Sequence, residues 1–441
     1  MKIKRLICIV LLCAVCAGAW WVRIANTEKQ KDAYEQTLSA AQQLVNDGLY
    51  QRALENYERA LTIKDTPQLR EMQLTAAQLA LDDGVIGRSD YVGLLESACR
   101  SYPDETGFWK LALEQCLALE DYKTGYRLAA KLPSAAASQP EIRQTALEIA
   151  YTFSAGPYLY SQVRRSPGGY AAVSSSELWG ILKPDGDELY AVDYRYIGPL
   201  NAQRDILLCT DGDSRILDKD GVVQARIKTS FTQANAYADG LLPVCTKKGW
   251  SYYDCATGGL LPGSYTQASA YENGTAAVCK NGVWTLIDRN GGTVSQTQFQ
   301  DVKLYGNGQY CYQDRMVASE NGTQYALYDA SGNRVNEFSA RDMDVYLGGM
   351  IAFADAAGRW GFVSEKGEVV IEPAYEAARS FSGGLAAVKT DGKWGFINKN
   401  GEMVIPPQFA QAEYFSDSGV CYVGDSEDAL YTITLRFPQG L

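Results

Sequence analysis

A phrase of the form Trp-Gly-Phe-Ile-x-x-x-Gly recurs through the last two-thirds of this 441-residue chain. Trp394-Gly395-Phe396-Ile397 and the four residues to Gly401 are echoed from Trp360 to Gly367, from Trp284 to Gly291 and from Trp179 to Gly186. Looser copies start at Ser214, Trp250, Tyr325 and Leu430, so the intervals are 35, 36, 34, 41, 35, 34 and 36 residues. A repeat of that length marks an array of small supersecondary units, none of which buries its apolar face alone.

A second pattern keeps the same period. An aromatic residue, a small or aliphatic residue three on and an apolar residue three further recur as Phe231/Ala234/Tyr237, Tyr265/Ala268/Tyr271, Phe299/Val302/Tyr305, Tyr375/Ala378/Phe381 and Phe409/Ala412/Phe415, with a weaker copy at Tyr194/Ile197/Leu200. Short apolar runs such as Gly384-Leu385-Ala386-Ala387-Val388 follow, and Lys-Asn-Gly or Lys-Asp-Gly supplies tight-turn chemistry. Each unit thus predicts four short strands. Trp394–Ile397 has no polar face, so both faces need cover. A seven- or eight-bladed β-propeller over 170–437 meets that need, with a β-solenoid as the alternative. The terminal hairpin, Val420–Val423 with Leu430–Leu435, is expected to complete the first blade.

Those residues resemble the WG β-repeat of bacterial proteins. The Trp-Gly-Phe-Ile phrase followed by Pro373-Ala374-Tyr375 or Pro406-Pro407-Gln408-Phe409 carries the resemblance, which is strong over 360–423 and diluted between 170 and 350. It implies tandem β-units, commonly in secreted or membrane-attached proteins, and no shared catalytic residues.

Residues 28–153 differ in texture, being rich in Ala, Leu, Gln and Glu at helical spacing. Gly48 to Leu61 resembles the second half of a tetratricopeptide repeat, with Ala53 and Ala60 small where helices cross and Tyr57 between them. Trp109, Tyr122 and Ala129 resemble another copy, in which Gly125 replaces the expected Ala. Three helix pairs and a final helix at 140–153 are expected, then a linker at 154–169. An unrelated helical bundle is the alternative.

At the N-terminus, Lys2, Lys4 and Arg5 precede an uncharged stretch from Leu6 to Val22 closed by Trp20-Trp21. Residues 1–25 are therefore expected to be a signal-anchor, a single transmembrane helix leaving the bulk of the chain extracytoplasmic. Cleavage near Ala19, giving a secreted protein, is the alternative.

The formal net charge of −11 argues against a nucleic-acid partner. The chain has no His, which removes Ser-His-Asp and Cys-His catalysis and imidazole metal sites. No nucleotide-binding glycine fingerprint is present. Asp218/Asp220 and Asp342/Asp344 are placed at turns, where Asp is favoured by the backbone, and Asp211/Asp213 beside Gly212 imitate a calcium loop without its other ligands. Asn273 and Asn321 fit glycosylation acceptors formally, but Asn-Gly is turn chemistry. Cys209, Cys245 and Cys279 sit five residues before their phrase starts and are expected to be apolar strand residues. No catalytic, cofactor-binding or metal residue is assigned, and no cofactor is implied.

The sequence therefore points to a membrane-anchored binding or scaffold protein of the bacterial cell envelope, without catalysis, whose partner is another protein or peptide, or an envelope glycan. The rivals are a carbohydrate- or cell-wall-binding protein, hydrolytic through paired carboxylates, and a passive structural spacer.

Overall fold

The Trp-Gly phrase forms the third strand of a repeated antiparallel sheet. In a computed structural model describing residues 27–200, 205–210, 213–438 and 440, the chain divides into two units, one ending at Ala150 and one spanning Tyr151–Gly440. The expected signal-anchor, 1–25, lies outside the described residues. Among the described residues no helix is long and apolar enough to cross a membrane.

The first unit is helical. A helix α1 over 27–46 is followed by α2 (Tyr50–Ile63), α3 (Pro67–Asp82), α4 (Arg88–Ser101), α5 (Thr106–Ala118), α6 (Tyr122–Ala129), the short α7 (Ser134–Ala137) and α8 (Pro140–Ala150). Local chemistry sets their ends. Thr66 caps α3 by accepting from Leu69 N–H, with Pro67 in the first turn, and Asp121 accepts from Thr124 N–H at 3.2 Å to start α6. Ala53 and Ala60 are fully buried and Tyr57 is 3% exposed. Gly125 is small for a packing reason: a Cβ there would lie 3.0 Å from both Cys116 Cβ and Ile149 Cδ1, where α5 and α8 press on α6. The last helix stops at Ala150 rather than 153, because Phe153 enters a strand.

The second unit is an eight-bladed β-propeller. Its strands form eight separate sheets, which rules out the stacked solenoid. Blades I to VII run through 162–194, 196–226, 233–260, 267–288, 301–329, 342–375 and 377–409. Blade VIII draws on both ends of the unit. Its strands Gln411–Ala412, Val420–Gly424 and Tyr431–Leu435 are completed by Phe153–Ala155, which pairs with Leu435, Thr434 and Ile433. The C-terminal hairpin thus builds an eighth blade rather than finishing the first. Residues 154–169, expected as linker, supply part of that closing strand and the inner strand Gln162–Arg165 of blade I.

The aromatic–small–aromatic pattern is the blade's packing code. The first aromatic is the cross-strand partner of the phrase Trp, as in Trp360↔Tyr375 and Trp394↔Phe409. The small residue occupies the innermost strand; Ala234, Ala268, Ala378 and Ala412 are all buried, as crowding at the axis requires. The last aromatic packs edge-on against the phrase Phe, with centroids 4.9 Å apart for Phe362–Phe381 and 4.8 Å for Phe396–Phe415. Ile397 leaves the opposite side of its strand to join Phe362 of the preceding blade.

The Gly of the phrase has a specific cause. In blades I, VI and VII the outer strand is seven residues long and bulged: three residues of the third strand, such as Trp394 to Phe396, lie opposite five of the outer strand, Phe409 to Ile405. The bulge backbone lies over the Gly, so a Cβ on Gly395 would be 2.6 Å from Ile405 O and 2.7 Å from Pro407 N. Pro373 and Pro406–Pro407 sit in these bulges, where no ladder hydrogen bond needs their missing N–H. Where Ser251, Thr285 or Ala326 replaces the Gly, the outer strand shrinks to Gly259–Leu260 or to isolated bridges.

The turns after the third strands share one device. Asp218 Oδ1 accepts from the N–H groups of Asp220 and Val222, both at 2.9 Å, and Asp355 Oδ1 accepts from Arg359 N–H at 2.9 Å. Asp288, Asp329 and Asn398 do the same. The hydrogen bond from Val222 N–H, with that from Asp220, holds the Asp218 carboxyl below its ordinary range, and Arg359 N–H leads for Asp355. A depressed folded value means the stabilisation is full above the unfolded value of about 4 and is lost as pH falls through the folded value. Urea midpoints should therefore drop on acidification below about pH 4. Asp355→Asn should lower the midpoint at neutral pH and converge with wild type in acid; parallel curves would contradict this.

Candidate functional site

Two concavities stand out, one in each unit. In the helical unit a cavity of about 620 Å³ opens between α3 and α5 over Tyr91 of α4. Its floor is apolar: Leu74, Tyr91 and Phe108 are almost fully buried. Leu79 and Leu111 line its sides, and Leu79 is 37% exposed. Polar groups form the rim. Gln78 donates to Asp82 at 2.8 Å, while its own Oε1 is buried without a donor. Glu71 is the one charged residue among the lining groups.

The second lies at one mouth of the propeller channel, and its origin is visible in the repeat spacing. The 41-residue interval between Trp284 and Tyr325 carries its surplus between the inner and second strands of blade V, Val302 to Arg315. The extra residues cross the channel. Asn307 Nδ2 donates to Leu200 O of blade II at 3.1 Å, while its O accepts from Ala236 N–H of blade III at 2.9 Å and Gly308 O accepts from Ala270 N–H of blade IV at 2.8 Å. Gly306 lies so close to Arg165 of blade I that a Cβ would be 2.7 Å from its backbone N and O. The loop closes one side of the mouth and leaves a cavity of about 300 Å³ lined by blades I, V, VI, VII and VIII.

This cavity is polar and charged. Tyr414 O–H donates to Asp344 at 2.8 Å, and Ser380 N–H donates to the same carboxylate at 2.7 Å. Arg379 pairs with Glu413 at 3.0 Å and donates through Nε to Ala412 O at 2.8 Å. Lys303 pairs with Asp342 at 2.9 Å. Arg165 donates to Tyr414 O and lies over the Tyr414 ring. Desolvation by these walls, with the Asp344 charge second, pushes the Tyr414 phenol well above its ordinary value, so it stays a donor.

The sequence candidates disperse. Asp218 is spent on its own turn and Asp220 pairs with Lys219 at 2.7 Å. Asp342 and Asp344 are not turn residues, contrary to expectation: Asp342 lies in the inner strand of blade VI and Asp344 just beyond it, at the channel mouth. Asp213 lies in a strand and pairs with Arg226 and Arg215; Asp211 and Gly212 lie outside the described residues. Asn321 accepts from the N–H groups of Thr323 and Gln324, and Asn273 has φ 50° in its turn with Gly274. Cys209, Cys245 and Cys279 occupy one register position in blades II to IV, opposite Ser214, Trp250 and Trp284. All eight described cysteines are free. Burial pushes Cys99, Cys116, Cys311 and Cys421 up to about 12, leaving them unreactive thiols.

No curated protein matches the chain. Among solved structures it is similar to BamB from Moraxella catarrhalis, at 13% identity over 64% of this chain and 100% of that one, with a TM-score of 0.42. It is also similar to PorZ, a surface component of the type-IX secretion system of Porphyromonas gingivalis, at 12% identity over 65% of this chain and 38% of that one, TM-score 0.31. The WD40 β-propeller domain of Doa1 matches at 12% identity over 64% and 97%, TM-score 0.31. Scores this low carry nothing about partners. The repeats themselves are matched more directly: the family described as WG containing repeat matches residues 260–284, 360–394 and 394–423.

Proposed function

We propose that this chain is a membrane-anchored extracytoplasmic scaffold whose helical unit, a stack of tetratricopeptide-like helix pairs, captures a segment of a partner protein. The groove between α3 and α5 carries this reading. It offers an apolar floor with amide and hydroxyl groups of Gln78, Thr75 and Gln115 at its edge, suited to an apolar segment whose backbone takes up the unpaired Gln78 oxygen. With Glu71 the one lining charge, the groove favours a neutral or basic segment over an acidic one. Recognition is by shape and surface chemistry, with no bond made or broken. The propeller is the rigid platform beside that function, and Leu6–Val22 is the membrane attachment.

The rival glycosidase requires one carboxylate free to act as acid and another as base or nucleophile. Asp344 and Glu413 both line the channel mouth, but each is tied to donors, Tyr414 and Ser380 for one and Arg379 for the other. Capture from envelope extract with the full chain tests the proposal. Leu79→Asp, at a half-exposed site, should abolish retention of the specific partner while circular dichroism stays unchanged. Retention that survives both Leu79→Asp and Leu111→Asp would move recognition away from the groove.

A further inference from the structure

Among the described residues at the channel mouth, one cation has no carboxylate partner. Asp344, Glu413 and Asp342 are each engaged by named donors, and Arg379 and Lys303 each have a carboxylate. Arg165 does not. Its contacts are a neutral carbonyl, Tyr414 O, and the Tyr414 ring face at 5.9 Å, and its Nε is buried with no hydrogen-bond partner. Nearby in blade VIII, Tyr422 is 2% exposed and its hydroxyl is likewise unpartnered; Arg165 acts electrostatically on this phenol. A buried donor on a cation is costly when unmade, and the missing element is an acceptor carrying negative charge. The rest of the wall is apolar where Val163, Leu304, Val345 and Leu347 line it.

The inserted loop gives the site its boundaries. With Gly306 laid against the Arg165 backbone, the mouth is a bounded cavity of about 300 Å³. At interior packing density that volume holds a molecule of on the order of ten non-hydrogen atoms. We propose that the propeller channel mouth is a binding site for a small organic monocarboxylate, its carboxylate held by Arg165 and its short apolar body held by Leu304, Val345 and Leu347. Asp344 and Glu413, already engaged, help to exclude a second negative charge, so dicarboxylates are disfavoured. This site is independent of the helical groove.

The test uses the full-length chain with phenylacetate as probe and phenylacetamide as its neutral match, read by calorimetry and by saturation transfer to the ligand. Phenylacetate should bind, with the amide at least tenfold weaker. Arg165→Gln should lose at least tenfold in phenylacetate affinity and erase the preference for the anion over the amide. Because Arg165 also contacts Tyr414, Leu347→Trp provides a second variant that fills the cavity and keeps the guanidinium; it should lose binding of both compounds. Absence of phenylacetate binding to the wild-type chain at millimolar concentration would overturn the proposal, as would binding that discriminates neither carboxylate from amide nor wild type from the two variants.

Discussion

Ending the chain after Ala429 should abolish the cooperative melt of the propeller. The deletion removes the strand Tyr431–Leu435, which alone joins the first strand of the unit, Phe153–Ala155, to the last blade. Ile433 and Leu435 are 0% and 3% exposed; losing two such side chains costs roughly 3–6 kcal/mol by area burial, before the ladder hydrogen bonds on both edges are counted. Cys421 and Tyr422, now 0% and 2% exposed, would form a sheet edge. That loss is comparable with the roughly 5–15 kcal/mol that holds a typical protein folded. In a closed ring, strand order along the chain also matters, because the seam ties the two termini of the unit together. Scanning calorimetry should show the propeller transition lost or broadened and displaced by tens of degrees, with proteolysis beginning in blades VIII and I. Ile433→Pro, which removes one ladder donor in mid-sheet, should give a milder form of the same result. A truncated chain that melts as sharply and as high as wild type would show that the seam is dispensable.

The seam shows where sequence information ran out. The Trp period and the Asn-Gly and Asp-Gly turns disclosed the repeated sheet, because each is local: a tight turn or a cross-strand aromatic pair is specified within about fifteen residues. Phe153–Ala155 carries no such mark. Three residues flanked by Thr152 and Gly156, they become a strand because Ile433 and its neighbours present an unpaired edge nearly 280 positions later, and that edge is invisible from either end alone. The channel mouth was half legible. The irregular 41-residue interval lay in plain view, yet an insertion says only that a loop is longer, not that it crosses the axis to touch four other blades. Asp344 illustrates the same limit. Beside Asp342 it resembles turn acid chemistry, and only ring closure, which brings Tyr414 of blade VIII to it, makes it part of a site. The helical groove was legible in kind, from the small residues at helix crossings. Its chemistry was not, since Glu71, Gln78 and Gln115 face one cavity only once α3 and α5 are set side by side.

Gly395→Ala should destabilise the propeller by about 3 kcal/mol, the upper range for forcing one extra carbon into a packed interior. The added Cβ would meet backbone rather than a yielding side-chain tip, lying 2.6 Å from Ile405 O, 2.7 Å from Pro407 N and 2.9 Å from Pro406 C. Relief requires moving the outer strand, which the Trp394↔Phe409 and Phe396↔Ile405 pairs pin on either side of the bulge. Gly361→Ala should behave alike, with Ile371 O at 2.5 Å and Pro373 N at 2.7 Å. Gly392→Ala is the informative contrast: Gly392 has φ +74° and open space around it, so that change costs only the left-handed strain of about 1 kcal/mol. For a unit of this size the first two variants should lower Tm by roughly 5–10 °C and the third by a few degrees. Equal shifts for Gly392→Ala and Gly395→Ala would mean that backbone flexibility, not room beneath the bulge, is what the Trp-Gly phrase requires. The native chain already contains the natural experiment in blades IV and V. There Thr285 and Ala326 stand in the glycine position, and the outer strand is reduced to the bridges Trp284↔Phe299, Ile287↔Thr293, Tyr325↔Ala340 and Tyr328↔Arg334. In these two blades the side chain sits beneath an outer strand reduced to single bridges, whereas blade II, with Arg215 at that position, keeps the shorter outer strand Val223–Arg226.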